Sequence, residues 1–173
     1  GLSCECVNPQ VNESAIVGKE PVHTARLRAE AKAAWVATRR PDALVIGADQ
    51  VIHLDGETIG KPLDDGDHLR RLQQLRGRAH QLTTAVALIG AGPAETFSVD
   101  TRVHFRADLT DDELRSYVAG AEARGCAGGY MVEKQGAWLV ERIEGDWLNV
   151  VGLPVLELIS RLRARGWRMP VKP

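Results

Sequence analysis

The sequence predicts an α/β fold with a mixed central sheet and flanking helices. Three observations carry that prediction. Helical and strand patterns intersperse along the chain. Ala43-Leu44-Val45-Ile46 is a continuous apolar run of the kind buried on both faces of a covered sheet. Phe97, Val99, Thr101, Val103 and Phe105 alternate with polar residues, as in an antiparallel strand with one solvated face.

In chain order, Pro21 to Arg40 is rich in Ala, Arg and Glu and reads as a helix, stopping before Pro41 because a proline ring restricts the residue ahead of it. The apolar run at 43–46 follows as a core strand. Asp55-Gly56 then separates Val51-Ile52-His53-Leu54 from Glu57-Thr58-Ile59 and suits a two-residue hairpin turn. That turn pairs Leu54 with Glu57 and, two residues at a time, brings Gln50 opposite Lys61.

Asp64 or Asp65 can cap a helix carrying Leu69, Leu72 and Leu75. His80 to Ile89 reads as a strand, joined through Gly90-Ala91-Gly92-Pro93-Ala94 to the alternating strand. Thr110-Asp111-Asp112-Glu113 is a capping box opening a helix through about Ala123. Tyr130 to Val132 and Trp138 to Ile143 read as further strands. Pro154 opens a last helix with Val155, Leu158, Ile159 and Leu162 on one side.

At 173 residues the chain has the length of one domain, enough to bury about two-thirds of its unfolded surface without disulfides or structural metal. With 22 Lys+Arg against 23 Asp+Glu, it lacks the cationic surplus of a nucleic-acid coat, so no nucleic-acid partner is expected. Hydrophobic residues at 44% and charged residues at 26% exclude intrinsic disorder. No apolar run approaches the roughly 20 residues of a membrane span, and no export signal opens the sequence, so a cytoplasmic protein without a membrane partner is expected. Cys4, Cys6 and Cys126 are an odd set, with two too closely spaced for an unstrained bridge; a C-x-C pair with one distant Cys can belong to a metal site, but without two paired ligand clusters the three read as free thiols of a reducing compartment.

Asp49 follows the buried run 44–48 and is expected at the carboxyl end of a core strand, where ligands of open α/β sheets bind. It is a candidate base or metal ligand, or a carboxylate capping the strand end. The hairpin arithmetic gathers Asp49, Gln50 and Lys61 at one end of the ribbon. Lys61, between Gly60 and Pro62, can meet a phosphate at close range or be a solvated surface charge. Lys32 shares a stripe with Ala25, Ala29, Ala33 and Val36, which puts an ammonium on a small apolar face, where it can also simply snorkel to water. Glu13 precedes that helix as a loop carboxylate. The five histidines show no metal spacing and read as structural or exposed. Cys126-Ala127-Gly128-Gly129-Tyr130 is a small-residue turn that lets backbone approach a ligand, or only permits tight packing. No Walker loop or dinucleotide fingerprint is present.

In combination, Val11-Asn12-Glu13, Lys32-Ala33, Gly47-Ala48-Asp49-Gln50-Val51, Asp55-Gly56-Glu57, Gly60-Lys61-Pro62, Cys126-Ala127-Gly128 and Asn149-Val150-Val151-Gly152-Leu153-Pro154 resemble the Maf family of nucleoside triphosphate pyrophosphatases, in order and over essentially the whole chain. The resemblance implies a Maf/ITPase-like fold and a divalent cation, Mg²⁺ or Mn²⁺. It makes Asp49 the proton acceptor, Lys32 and Lys61 the phosphate-neutralising catalytic partners, and Glu13 and Asp49 the metal ligands.

Gln50 and Glu133, in positions where another branch of the family carries Thr and Gln, are similar to the branch hydrolysing 7-methyl-GTP, and would select the base. A carboxylate suits a guanine edge because it accepts from N1–H and the 2-amino group. A homodimer is also implied. Two features depart from the family pattern. Asn12 replaces an Asp. The opening strand, Ser-rich phosphate-binding loop and first helix of the family have no counterpart before Gly1, so residues 1–173 are expected to be one domain lacking those elements. Beside this reading stand a non-catalytic nucleotide-binding regulator of cell division on the same scaffold and a broader inosine-type pyrophosphatase.

Overall fold

The computed structural model describes residues 4–168. Its elements in order are α1 (Pro21–Ala37), β1 (Val45–Leu54), β2 (Glu57–Ile59), α2 (Asp65–Leu75), β3 (Ala79–Ile89), β4 (Glu95–Phe105), α3 (Asp111–Ala119), β5 (Val140–Glu144), α4 (Trp147–Val150) and α5 (Val155–Ala164), with short 3-10 turns at Glu13–Ala15, Ala127–Gly129 and Gln135–Leu139. The five strands form one sheet in the order β2-β1-β3-β4-β5. This is the expected helix-flanked central sheet of an α/β domain, and every pairing among the described strands is antiparallel.

The hairpin closes as its turn chemistry requires. Asp55 and Gly56 both take positive φ, 53° and 85°, the mirror-image turn that matches strand twist. The ladder pairs Leu54 with Glu57 and ends at Ile52 opposite Ile59, so Gln50 and Lys61 lie beyond the last paired residues. Because β2 is so short, residues 45–51 of β1 have a strand neighbour on one side only among the described residues.

Two expectations for β1 are corrected. The run 43–46 and the hairpin arm are a single strand, since Gly47 and Ala48 stay extended and pair with Ala87 and Val86; Asp49 therefore sits in mid-strand opposite Ala85 and not at a carboxyl end. The run is also not buried on both faces. Burial alternates along β1, and Ile46, at the open margin, is 42% exposed.

Further along, Tyr130–Val132 is not a strand. Gly128 and Gly129 take left-handed φ of 73° and 74°, and the Met131 N–H donates to the Tyr117 hydroxyl at 3.1 Å instead of to a ladder. The last predicted strand begins at Val140 and not at Trp138, after a 3-10 turn. Helix α1 ends at Ala37, three residues before Arg40, and α3 ends at Ala119, where Gly120 and a left-handed Ala121 follow. Asp64 caps α2 through the Asp67 N–H, and the Thr110/Glu113 capping box is formed.

Helix α1 packs on one face of the sheet through Ala25, Ala29 and Ala33 against Val45, Val51, Ala85 and Ala87. The other face carries α5, whose Leu158 and Leu162 meet Val86, Leu88 and Phe97, while Ile159 stays 43% exposed. It also carries α2 and α3, which close the largest core around Leu72, Leu75, Phe105, Leu114 and Tyr130. Within the described residues no helix is long and apolar enough to cross a membrane. All three cysteines are free, as the sequence suggests.

Candidate active site

A cleft of about 320 Å³ is lined by Glu13, Lys32, Asp49, Gln50, Lys61 and Glu133, together with Cys126, Tyr130 and Val150. Every residue proposed from the sequence as catalytic, metal-binding or base-selecting therefore lines one cavity. Asp49 and Gln50 are neighbours on β1 and point to opposite faces of the sheet, so the cleft wraps around the open margin of that strand.

On the α1 side, Gly47 decides the geometry. A Cβ there would lie 2.5 Å from the Ala29 carbonyl oxygen and 2.7 Å from the Ala33 backbone nitrogen, so the helix rests directly on the strand backbone. That approach brings α1's cations over Asp49. Lys32 Nζ donates to Asp49 Oδ1 at 2.7 Å and to the Ala48 carbonyl oxygen at 3.3 Å, and it pairs with Glu13 Oε1 at 3.1 Å. Lys32 thus does not snorkel to water; one ammonium joins both candidate metal-binding carboxylates.

Asp49 is 7% exposed, and its Oδ2 is buried without a hydrogen-bond partner among the described residues. Burial pushes its carboxyl above the ordinary carboxylate range; the Lys32 hydrogen bond and charge oppose this, nearby Glu13 adds to it, and Arg28 opposes it again. Arg28 is a residue that sequence reasoning missed. Its Nη1 stands 3.9 Å from Asp49 Oδ2, and its Nε donates to the Ile16 carbonyl oxygen at 3.0 Å, tying the Glu13–Ala15 turn to α1. The available signal was its spacing, four residues before Lys32 on the same helical face.

Gln50 is held on the opposite face. Its Nε2 donates to Thr84 Oγ1 at 2.9 Å and to the Asn149 carbonyl oxygen at 2.6 Å, which commits both amide protons. Asn149 is itself fully buried and anchors α4 through Nδ2 to the Val99 carbonyl oxygen at 3.1 Å and to Thr101 Oγ1 at 3.0 Å.

The remaining wall comes from the loop after α3. Burial pushes the Cys126 thiol up, the Glu133 carboxylate adds to that, and Lys61 opposes it, so the Lys61 and Glu133 side chains act on the same point of the wall. Both are exposed.

The donor set suits a hard divalent cation that shares its coordination with a substrate. Glu13 and Asp49 supply carboxylate oxygens, one of them the unpartnered Asp49 Oδ2. No group of three or more His, Cys, Asp or Glu among the described residues forms a full protein cage. Chemically, the cleft offers a buried base, cations for a polyanion and a carboxylate for a polar heterocycle.

The profile of the Maf-like protein family matches residues 1–165. A Dictyoglomus turgidum protein named dTTP/UTP pyrophosphatase is 40% identical over 173 residues, covering 98% of this chain and 89% of the relative. A Pyrococcus furiosus protein of the same name is 40% identical, covering 87% of this chain and 78% of the relative. An Aromatoleum aromaticum protein named 7-methyl-GTP pyrophosphatase is 41% identical, covering 98% and 88% respectively.

Proposed function

The chain belongs to the Maf-like protein family, and from that premise we propose that it hydrolyses a nucleoside triphosphate between the α- and β-phosphates, releasing pyrophosphate and the nucleoside monophosphate. The observation that carries the reading is the convergence of Asp49, Lys32, Lys61 and Glu133 on one cleft.

In this mechanism Asp49 accepts a proton from water. The water oxygen bonds to the α-phosphorus, the bond from that phosphorus to the bridging oxygen breaks, and the electron pair leaves with pyrophosphate. Burial serves this role by raising the carboxyl's proton affinity, and the Lys32 hydrogen bond and charge oppose that rise. Lys32 and Lys61 offset the charge of the phosphate chain, which otherwise repels an anionic nucleophile. A divalent cation held by Glu13 and Asp49 would add Lewis-acid polarisation of the phosphoryl oxygens.

For the base, we favour 7-methyl-GTP, or a similarly modified nucleotide kept out of nucleic acid by this hydrolysis. The Glu133 carboxylate can accept from a guanine edge and meet the positive charge of an N7-methylated ring, and the Gln50 carbonyl adds a second acceptor. A second reading, dTTP and UTP, is favoured by the names of the Dictyoglomus and Pyrococcus relatives.

A panel of 7-methyl-GTP, GTP, ITP, dTTP and UTP with Mg²⁺, read as pyrophosphate release, separates these. The expected result is the highest kcat/KM for 7-methyl-GTP, with Glu133→Gln reducing that substrate selectively. Faster hydrolysis of dTTP and UTP selects the second reading. Asp49→Asn should lower kcat by about a hundredfold or more. Release from no triphosphate, or full activity in Asp49→Asn, sinks the mechanism.

A further inference from the structure

His68, on α2, does not line the cleft, yet it is fully buried and holds the loop that does. Its Nε2 lies 2.5 Å from the Gly129 carbonyl oxygen. A carbonyl oxygen can only accept, so Nε2 carries the proton and donates. Nδ1 has no partner among the described residues. A side chain needed only to fill space would be less costly as an apolar residue of similar size, because a buried nitrogen left unpaired loses its hydration without return.

The bond falls at the most constrained point of the wall. Gly128 and Gly129 are both left-handed, at φ 73° and 74°. A Cβ on Gly129 would lie 2.6 Å from His68 Cδ2 and 3.1 Å from Pro62 Cγ. One residue earlier, the Gly128 N–H donates to the Gly60 carbonyl oxygen at 3.2 Å, and that oxygen also accepts from Arg71 Nη1 at 3.0 Å. One turn of α2 therefore fixes the backbone just before Lys61 through Arg71 and the backbone just before Tyr130 through His68. Tyr117, edge-on to the His68 ring at 6.1 Å, accepts from a further amide of the loop, Met131 N–H, at 3.1 Å.

We propose that His68 is a positioning residue for nucleotide binding. By clamping the Gly129 carbonyl, it sets the wall from Cys126 to Glu133 against the Lys61 turn at the width of the nucleotide. The inference rests on the proposed nucleotide site, and it predicts a loss in binding and not in chemistry, because the wall holds substrate and transition state alike.

The test compares wild type with His68→Leu, His68→Gln and Gly129→Ala. It measures KM and kcat for pyrophosphate release, the Kd of a non-hydrolysable α,β-methylene triphosphate by calorimetry, and melting temperature. His68→Leu should raise KM and Kd about tenfold, as expected for a lost buried hydrogen bond whose acceptor is stranded, with kcat within about threefold. His68→Gln, which can present a donor where Nε2 stood, should restore most of the affinity. Gly129→Ala should weaken binding as His68→Leu does.

Unchanged KM and Kd in His68→Leu beside a lowered melting temperature overturn the proposal, as does a His68→Gln variant no better than His68→Leu. Should His68→Leu not fold, Gly129→Ala and His68→Gln decide: weakened binding in the first with near-normal binding in the second supports it, and equal binding in the two overturns it. Wild type that binds without turnover overturns the hydrolytic reading and leaves the His68 comparison intact. Wild type that neither binds nor hydrolyses overturns both.

Discussion

Burial raises the proton affinity of Asp49 and lowers that of His80, because in each case the charged form gives up its hydration. His80 is 2% exposed, packs edge-on against Phe105 and Tyr130, and hydrogen-bonds the Tyr130 hydroxyl at 2.7 Å. Its folded-state pKa is lowered from 6.5 to about 3 by burial, with His104 and His53 adding to the shift. Between those values the unfolded chain binds a proton that the folded chain does not, so stability rises with pH through the window and is lost as pH falls below 6.5. On going from pH 7.5 to pH 5, His80 alone should withdraw about 2 kcal/mol. Urea unfolding at the two pH values checks this: His80→Phe should remove about that much of the pH difference, and an unchanged difference rules out His80 as its source.

Helix α1 and strand β1 form the part of the fold on which the proposed chemistry depends most closely. The Ala25, Ala29 and Ala33 stripe and the absence of a side chain at Gly47 let the helix lie on the strand backbone, and that contact sets the height of Lys32 above Asp49. A methyl group at 47 meets backbone atoms, which cannot rotate away, so the helix itself must move. Gly47→Ala should therefore cost about 1–3 kcal/mol of stability, as overpacking does, and should lower kcat by roughly a hundredfold, because displaced catalytic groups lose alignment. Parallel denaturation and kinetic measurements check the pair; a stability loss with kcat intact would show that the Lys32–Asp49 distance tolerates the shift. The loop from Cys126 to Leu139 answers to a different cause. Its apolar residues read locally as strand, yet paired left-handed glycines and the Tyr117 and His68 hydrogen bonds hold it as 3-10 turns.

At the scale of the molecule, near-neutral overall charge conceals a local concentration in which Lys32, Arg28 and Lys61 gather with Glu13, Asp49 and Glu133. Two carboxylates are too few to hold a hard cation alone, so cation and triphosphate should bind together. Dialysis against EDTA should abolish hydrolysis, and Mg²⁺ or Mn²⁺ should restore it; full activity in chelator would remove Glu13 and Asp49 as cation ligands. Much of this architecture is local and therefore legible in the chain: the Asp55-Gly56 hairpin and its register, the Thr110–Glu113 capping box, the Asp64 cap and the alternation of β4 each depend on neighbours a few residues apart. The motifs around Glu13, Lys32, Asp49, Lys61 and Glu133 named the candidate residues. Tertiary structure alone decided that these residues share one cleft, that Asp49 lies in mid-strand with one oxygen on Lys32 and the other without a hydrogen bond among the described residues, and that Arg28 and His68 stand behind the site. The physical reason is that hydration, charge pairing and loop conformation depend on groups distant in sequence. His68 meets Gly129 across 61 positions, a separation that no local pattern of residues encodes.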